Sequence, residues 1–226
     1  MGIAELSSAA RSSYSIEAED LLIANAWANL IRKPLPKGGV YLDVGAAHPI
    51  NHSNTYYFYE RGWSGICVEA NPELCELYKE TRPRDKVYNI GVAPTGGVLS
   101  YHRFQQYLNN GFLPQKIVDE HIQRGQVYLG HVEIECVAIA EFLRNEVKVA
   151  IDVLNIDVET MEPRILSAWD WDACRPKLIS VEIHSQDIRQ MLKADATVVL
   201  ERNGYAPVSR GLISTLFVDT AYLKQG

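Results

Sequence analysis

Tyr41-Leu-Asp-Val-Gly-Ala-Ala-His-Pro-Ile-Asn-His-Ser-Asn-Thr-Tyr56 opens like the first strand and turn of a nucleotide-binding α/β sheet. An apolar run leads into Asp43 and Gly45, and then the second and third glycines of such a turn are missing. In a dinucleotide-binding turn those glycines let the backbone close on a pyrophosphate, which the next helix N-terminus neutralises. Here Ala46, Ala47 and His48 put Cβ atoms where phosphates come close. The turn suits a nucleoside without phosphates. S-adenosylmethionine is one such ligand, with Asp43 placed to meet its ammonium and Gly45 to let the backbone pass beneath it.

The alternation of strand and helix continues outward from this turn. Glu17 to Lys33 reads as a helix with Ile23, Trp27, Leu30 and Ile31 on one face. Acids crowd its start, Arg32 and Lys33 its end, and Pro34 and Pro36 stop it. Val40 to Val44, Gly65 to Glu69 and Lys86 to Ala93 read as strands. Thr55 to Arg61 reads as a helix, capped by Ser53, Asn54 and Thr55, and a second runs from Pro72 to about Lys79 behind an Asn71 N-cap. The middle is less regular: a strand at Val98 to Phe104, a helix at Pro114 to Arg124, a strand at His131 to Val137 and a helix at Ala138 to Asn145. Beyond it, Ile151 to Asp157 and Lys177 to His184 read as strands, Glu162 to Trp171 and Asp187 to Asn203 as helices, with Gly204 at C′. Tyr205 to Ser209 and Ser214 to Asp219 form a final antiparallel pair. Strands alternating with helices predict an α/β fold with a mainly parallel sheet and helices on both faces. One domain over residues 1–226 is expected: an N-terminal extension and helix over 1–38, and a core over 39–220 with a variable insert near 94–135.

Bulk composition narrows the function classes. The chain has 226 residues, 47% of them hydrophobic, enough for a sizeable core. A net charge of −6 argues against a nucleic-acid footprint, which needs a basic face. Cys67, Cys75, Cys136 and Cys174 show no CxxC spacing, and Cys67 and Cys136 sit in apolar runs as buried small hydrophobes. That usage fits the reducing cytoplasm. No apolar run reaches the ~18 residues of a spanning segment.

In a parallel sheet, ligands bind beyond the carboxyl ends of the strands. Glu69 ends the second strand, where an acid accepts both hydroxyls of a ribose. This marks a ribose and not one particular cofactor, so a nicotinamide-dependent oxidoreductase and a non-catalytic nucleoside-binding module stay open.

Several motifs in order closely resemble the FkbM-like methyltransferases. They are Asp43-Val-Gly-Ala, Ser53-Asn-Thr-Tyr56, Gly62-Trp-Ser-Gly-Ile-Cys-Val-Glu-Ala-Asn-Pro72, Leu154-Asn-Ile-Asp-Val-Glu159 and Arg175-Pro-Lys-Leu-Ile-Ser-Val-Glu182. The resemblance runs from about Val40 to Asp219 and is weakest between Pro94 and Val137. It implies a class I methyltransferase Rossmann-like fold with a seven-stranded sheet, S-adenosylmethionine as donor, and methylation of a hydroxyl oxygen, often on a sugar of a polysaccharide or glycosylated natural product. The family often has Gly where Thr160 stands, and Asn-Asp-Gly where Ala47-His48-Pro49 stands.

These expectations define two sides of a site. The cofactor side is Asp43, Gly45, Ala46, Asn54, Glu69, Ala70, Asn71, Gly91 and Asp157. The acceptor side is His184, Asp157, Glu159 and His48. A sugar hydroxyl is weakly acidic, so a base or a metal ion helps. Asp157 and Glu159, two apart in an extended segment, are expected to face the same way. His184 ends the next strand with an ordinary pKa of about 6.5, and Glu182 is placed to orient it. No metal ligand set is assigned, and Mg²⁺ is left open for want of a third ligand. The expected partner is a small-molecule or glycan acceptor, and a homodimer stays open. The run Tyr107-Leu-Asn-Asn-Gly-Phe112 reads as a turn at Asn-Gly, with Asn109 and Asn110 as acceptor contacts in the alternative.

Overall fold

The computed structural model describes residues 11–31 and 34–225; Arg32 and Lys33, the basic helix end expected above, lie outside the described residues. The helices are α1 (Glu19–Ala26), α2 (Tyr56–Glu60), α3 (Pro72–Thr81), α4 (Gln115–Gln123), α5 (Ile139–Glu146), α6 (Glu162–Ser167), α7 (Ile188–Met191) and α8 (Asp195–Arg202). The strands are β1 (Val40–Val44), β2 (Ser64–Val68), β3 (Lys86–Tyr88), β4 (Gly91–Ala93), β5 (Gly97–Phe104), β6 (Tyr128–Ala138), β7 (Val153–Ile156), β8 (Leu178–Glu182), β9 (Tyr205–Arg210) and β10 (Ser214–Asp219).

Seven strands form the main sheet in the order β3-β2-β1-β7-β8-β10-β9. β1 pairs in parallel with β2 and with β7, and β7 with β8, while β10 runs antiparallel to both β8 and β9. This is the class I methyltransferase arrangement, α/β and mostly parallel, that the resemblance implied. The order reverses between β1 and β7, so the crevice opens beyond Val44 and Ile156.

Strand alternation divides the apolar residues between two cores. Leu42, Val44, Leu154, Ile156, Ile179 and Val181 face one, with Phe142, Leu143 and Ile165 from the helices. Tyr41, Cys67 and Val153 face the other, against Ile23, Trp27, Phe58 and Trp63. Helix α1 continues into a π turn, Trp27–Ile31, that keeps Trp27 and Ile31 buried. No described helix is long and apolar enough to cross a membrane.

Two elements differ from expectation. The strand expected over Lys86 to Ala93 breaks at Asn89, whose amide donates to the carbonyls of Glu69 and Ala70 at 3.0 Å each. β3 stays in the main sheet, whereas β4 joins β6 and β5 in a second, three-stranded sheet. The helix expected over Asp187 to Asn203 divides into α7 and α8 because Ala194 is extended. The Thr197 hydroxyl then ties the second piece to the Met191 carbonyl at 2.7 Å. The second sheet and α4 make up the expected insert.

Candidate functional site

A cavity lies at the switch in strand order. Its walls come from the tips of β1, β2 and β7 and from the insert: Gly45, Ala47, Glu69, Ala70, Gly91, Asp157 and Glu159 on the sheet side, Tyr101, Tyr107, Asn110 and Phe112 on the other. Val68, Leu74 and Ile90 add an apolar slot beside Glu69.

Gly45 stands where the sequence put it, but for a different reason. Its φ is +81°, and a Cβ there would lie 1.7 Å from the Asp157 carbonyl oxygen. The bare glycine lets the tip of β7 close on the tip of β1; the Asp157 amide bonds to the Val44 carbonyl at 3.0 Å. Gly91 similarly makes room for the Cys136 sulfur and the Phe112 ring.

Glu69 is 5% exposed, yet it lines the cavity. One carboxylate oxygen accepts the Ala47 amide at 2.8 Å and the other the Asn71 amide at 2.6 Å. Each oxygen keeps a second lone pair, which is what two ribose hydroxyls would use. Burial pushes the Glu69 carboxyl up to about 7, opposed by those two backbone amides. Asn71 caps α3 by accepting the Glu73 amide at 3.0 Å, so its side chain serves the helix rather than the cavity.

The first turn is held from beneath, and several expected ligand contacts become structural ones. Asp43 is 1% exposed and does not line the cavity. Its oxygens accept from Thr55 Oγ1 at 2.6 Å and Asn155 Nδ2 at 2.9 Å, so it braces the turn from beneath and has no direct contact with the cavity. Asn54 donates to Asn155 Oδ1 at 2.9 Å, and Ala46 is buried with its carbonyl accepting the Tyr78 hydroxyl. Of the three expected caps of α2, Ser53 alone does that work, accepting the amides of Thr55 and Tyr56. Arg82 underlies all of this. Its guanidinium donates to the Pro49 carbonyl, the Ser53 and Thr55 hydroxyls and the Tyr41 hydroxyl, and it pairs with Asp85 at 2.6 Å. Both charged side chains of that pair are 0% exposed.

His48 shapes the turn. Its Nδ1 accepts the amides of Ile50 at 3.1 Å and Asn51 at 3.0 Å, so the ring proton sits on Nε2. Burial holds its pKa below the usual histidine range. It does not line the cavity, which removes the geometric ground for a catalytic role. His52 meets the Tyr107 hydroxyl at 3.0 Å and so links the turn to the insert.

At the ends of β7 and β8 the acids gather. Donor atoms of Glu159, Glu182 and His184 lie within 4.8 Å of one another, and so do those of Asp157, Glu162 and Glu182. The extended geometry expected past Asp157 is not kept: Glu159 and Thr160 take positive φ values of 52° and 79°. The bend brings the carboxylates together across Glu182. Among the described residues no lysine or arginine pairs with any of these acids. Burial first, then the charges of Glu182 and Glu162, push Glu159 up to about 8. Burial, then the charges of Glu182 and Glu159, hold Asp157 well above the usual carboxylate range. Glu162 reaches about 7 through burial, although it accepts the Val158 amide at 2.8 Å. His184, with its side chain 59% exposed, is raised by the Glu182 carboxylate beside it.

The left-handed bend explains why glycine suits the position of Thr160. A β-branched residue at φ 79° is strained by roughly 1–2 kcal/mol. Thr160→Gly is expected to raise the unfolding free energy by about 1 kcal/mol after the added freedom of the unfolded chain is subtracted. Urea denaturation measures it; equal or lower stability rejects the strain.

The sequence assigns the insert a part in the site only as the alternative at Asn109 and Asn110; Asn110 lines the cavity, together with Tyr101, Tyr107 and Phe112, which it does not single out. The stretch Tyr107–Asn109 is a 3-10 turn, and Asn110 Oδ1 accepts the Phe104 amide at 2.7 Å. His102 and Gly111 bridge, which folds Phe112 over the apolar slot. Nothing local in Tyr107 to Phe112 signals this; the cover exists because β5 pairs with β6 from Tyr128 to Cys136. Glu162 was read only as a helix start, because an acid in a first turn is ordinary.

Similar solved structures include an O-methyltransferase from Bacillus cereus in complex with SAH, 11% identical over 95% of this chain and 86% of that chain, TM-score 0.44. Others are a TehB-like SAM-dependent methyltransferase from Corynebacterium glutamicum (12%, 96% and 93%, 0.42) and precorrin-6y C5,15-methyltransferase from Geobacter metallireducens (12%, 93% and 92%, 0.43). No curated protein sequence matches the chain significantly. The methyltransferase FkbM domain model matches residues 43–207, from Asp43 in β1 to Pro207 in β9, and therefore takes in the parallel strands from the tip of β1 to β8, the insert and the acid cluster. The chain belongs to the FkbM methyltransferase family.

Proposed function

We propose that the protein is an S-adenosylmethionine-dependent O-methyltransferase acting on a hydroxyl of a sugar, in a polysaccharide or a glycosylated small molecule. One observation carries the choice of cofactor: Glu69, Asp157 and Glu159 line the cavity, and among the described residues no basic side chain does. Such a wall offers no cation to the pyrophosphate of a nicotinamide cofactor, and its carboxyls, held up by burial, would be drawn into their charged form by a cationic, phosphate-free nucleoside. The residues fit that nucleoside. Glu69 accepts its ribose hydroxyls, the slot of Val68, Leu74, Ile90 and Phe112 takes its base, and Asp157 faces its positive charge. When bound, S-adenosylmethionine supplies an activated methyl group.

The chain's own part is to hold the acceptor and remove its proton. Glu159 lines the cavity with a carboxyl pushed up to about 8, so it holds or releases a proton near neutral pH, and His184, outside the cavity lining, stands in the same cluster. Tyr107 and Asn110 offer a ring face and an amide to a sugar. Family membership supports methyl transfer; the hydroxyl acceptor is supported by this proton-accepting cluster.

Calorimetric titration tests the reading. S-adenosylmethionine should bind and NADH should not; the opposite result overturns it. Glu69→Ala is expected to weaken binding by about 2 kcal/mol, the scale of a hydrogen bond to a charged group. Unchanged affinity rejects the ribose contact. The acceptor is sought by incubation with labelled S-adenosylmethionine and glycan fractions, read by mass spectrometry.

A further inference from the structure

We infer that Glu159, Glu182 and His184 form a binding site for one divalent transition-metal ion of the Mn²⁺ class. The inference deepens the proposed function as to the ion's use, while the site itself stands on geometry.

Glu182 is the centre of the argument. It is 9% exposed, and its Oε2 has no hydrogen-bond partner. A buried carboxylate oxygen left without a donor is rare, because burial of a charge requires a partner. His184 Nε2 stands 3.3 Å from that oxygen. The contact is close but lies outside hydrogen-bond geometry. Two ligands bonded at about 2.1 Å to one ion are themselves separated by roughly 3.0–3.4 Å, for octahedral or tetrahedral angles. The observed spacing is the spacing of neighbouring ligands. Glu159 completes the set, with all donor atoms within 4.8 Å of one another.

The chemistry of the set selects the ion. Two carboxylates and one imidazole suit a borderline cation, Mn²⁺ or its first-row neighbours, better than Mg²⁺, which prefers oxygen alone. Three protein ligands leave positions open, the pattern of a catalytic rather than a structural centre. Glu159 lines the cavity, so those positions open toward the acceptor. A hydroxyl bound there becomes a stronger acid. Asp157, within 4.8 Å of Glu182, is placed to take the proton, which breaks the O–H bond and leaves the oxygen its electron pair. In that arrangement His184 is a ligand and not the base.

The test uses the full chain, freed of metal with a chelator, without methyl donor or acceptor. Mn²⁺ is titrated in and followed by the loss of the free-ion signal in electron paramagnetic resonance. One ion per chain is expected. His184→Ala removes an exposed ligand without touching the core, and Glu182→Gln keeps the shape of the buried one. Each should weaken Mn²⁺ binding at least about tenfold, the lower end of what even indirect support of a ligand contributes. No binding by the wild-type chain, or equal binding by both variants, overturns the site. S-adenosylmethionine affinity, measured separately on the metal-free protein, shows whether the methyltransferase reading stands by itself.

Discussion

Replacing Arg82 with methionine is expected to lower the unfolding free energy by about 3–5 kcal/mol, the effect of removing one partner of a buried ion pair. The guanidinium is fully buried and ringed by Tyr78, Tyr41 and Tyr59, at 5.0, 5.2 and 5.4 Å from the ring centroids. Its removal leaves the Asp85 carboxylate buried with only the Gly65 amide, the Tyr41 hydroxyl and a weak thiol to hold it. The Pro49 carbonyl loses its side-chain donor as well. Methionine fills much of the volume, so the loss reports the charge and its bonds rather than a cavity. Urea denaturation at neutral pH measures it. The double variant Arg82→Met, Asp85→Leu is expected to recover part of the loss, since no unpaired charge remains. A loss under about 1 kcal/mol in the single variant, the scale of a surface pair, would overturn the account.

The second large effect is expected at Gly45. Alanine there meets two penalties. A side chain at φ +81° costs roughly 1–2 kcal/mol, and a Cβ at 1.7 Å from the Asp157 carbonyl forces the tips of β1 and β7 apart. Overpacking adds about 1–3 kcal/mol, so the total is about 3 kcal/mol. Gly62 provides the internal control. Its φ is +84°, but a Cβ there meets nothing within 4 Å. Gly62→Ala should therefore show only the backbone penalty, about 1 kcal/mol. The comparison by denaturant unfolding separates the two causes; equal losses at both positions would show that the clash is relieved at no cost. Only Gly45→Ala should also impair S-adenosylmethionine binding, because it displaces Asp157.

The sheet was readable because each of its strands is an apolar run with turn residues at its end, and because β1 and β2 end in side chains of recognisable type. Glu69, Ala70, Gly91, Asp157 and Glu159 were placed at the cavity for that reason. Asp43 lies deeper than a strand-tip acid suggests, for a physical reason. A strand-tip acid looks the same whether it faces a ligand or a buried Thr55 and Asn155, and the second residue lies 112 positions away. His48 imitates an Asx turn with its ring nitrogen, which residue type alone does not announce. The Arg82–Asp85 pair, three residues apart in a turn after α3, reads as surface decoration; only the tertiary fold buries it. The insert stayed obscure because its strands are half exposed and its covering loop owes its path to pairing between β5 and β6.

The N-terminal helix carries a consequence for the order of folding. Glu19 accepts the Ser214 hydroxyl at 2.9 Å across 195 positions, and Glu17 accepts the Ile213 amide at 3.1 Å across 196. Its apolar face, Ile23 and Trp27, meets Leu216 and Val218 of β10 in the same core. This helix thus finds its full seat only after β10, nearly two hundred positions downstream, has been made. Until then Ile23 and Trp27 have only part of their cover, Trp63 among it, and the rest of that apolar face stays exposed on the growing chain. Contacts so distant in sequence also slow the final docking.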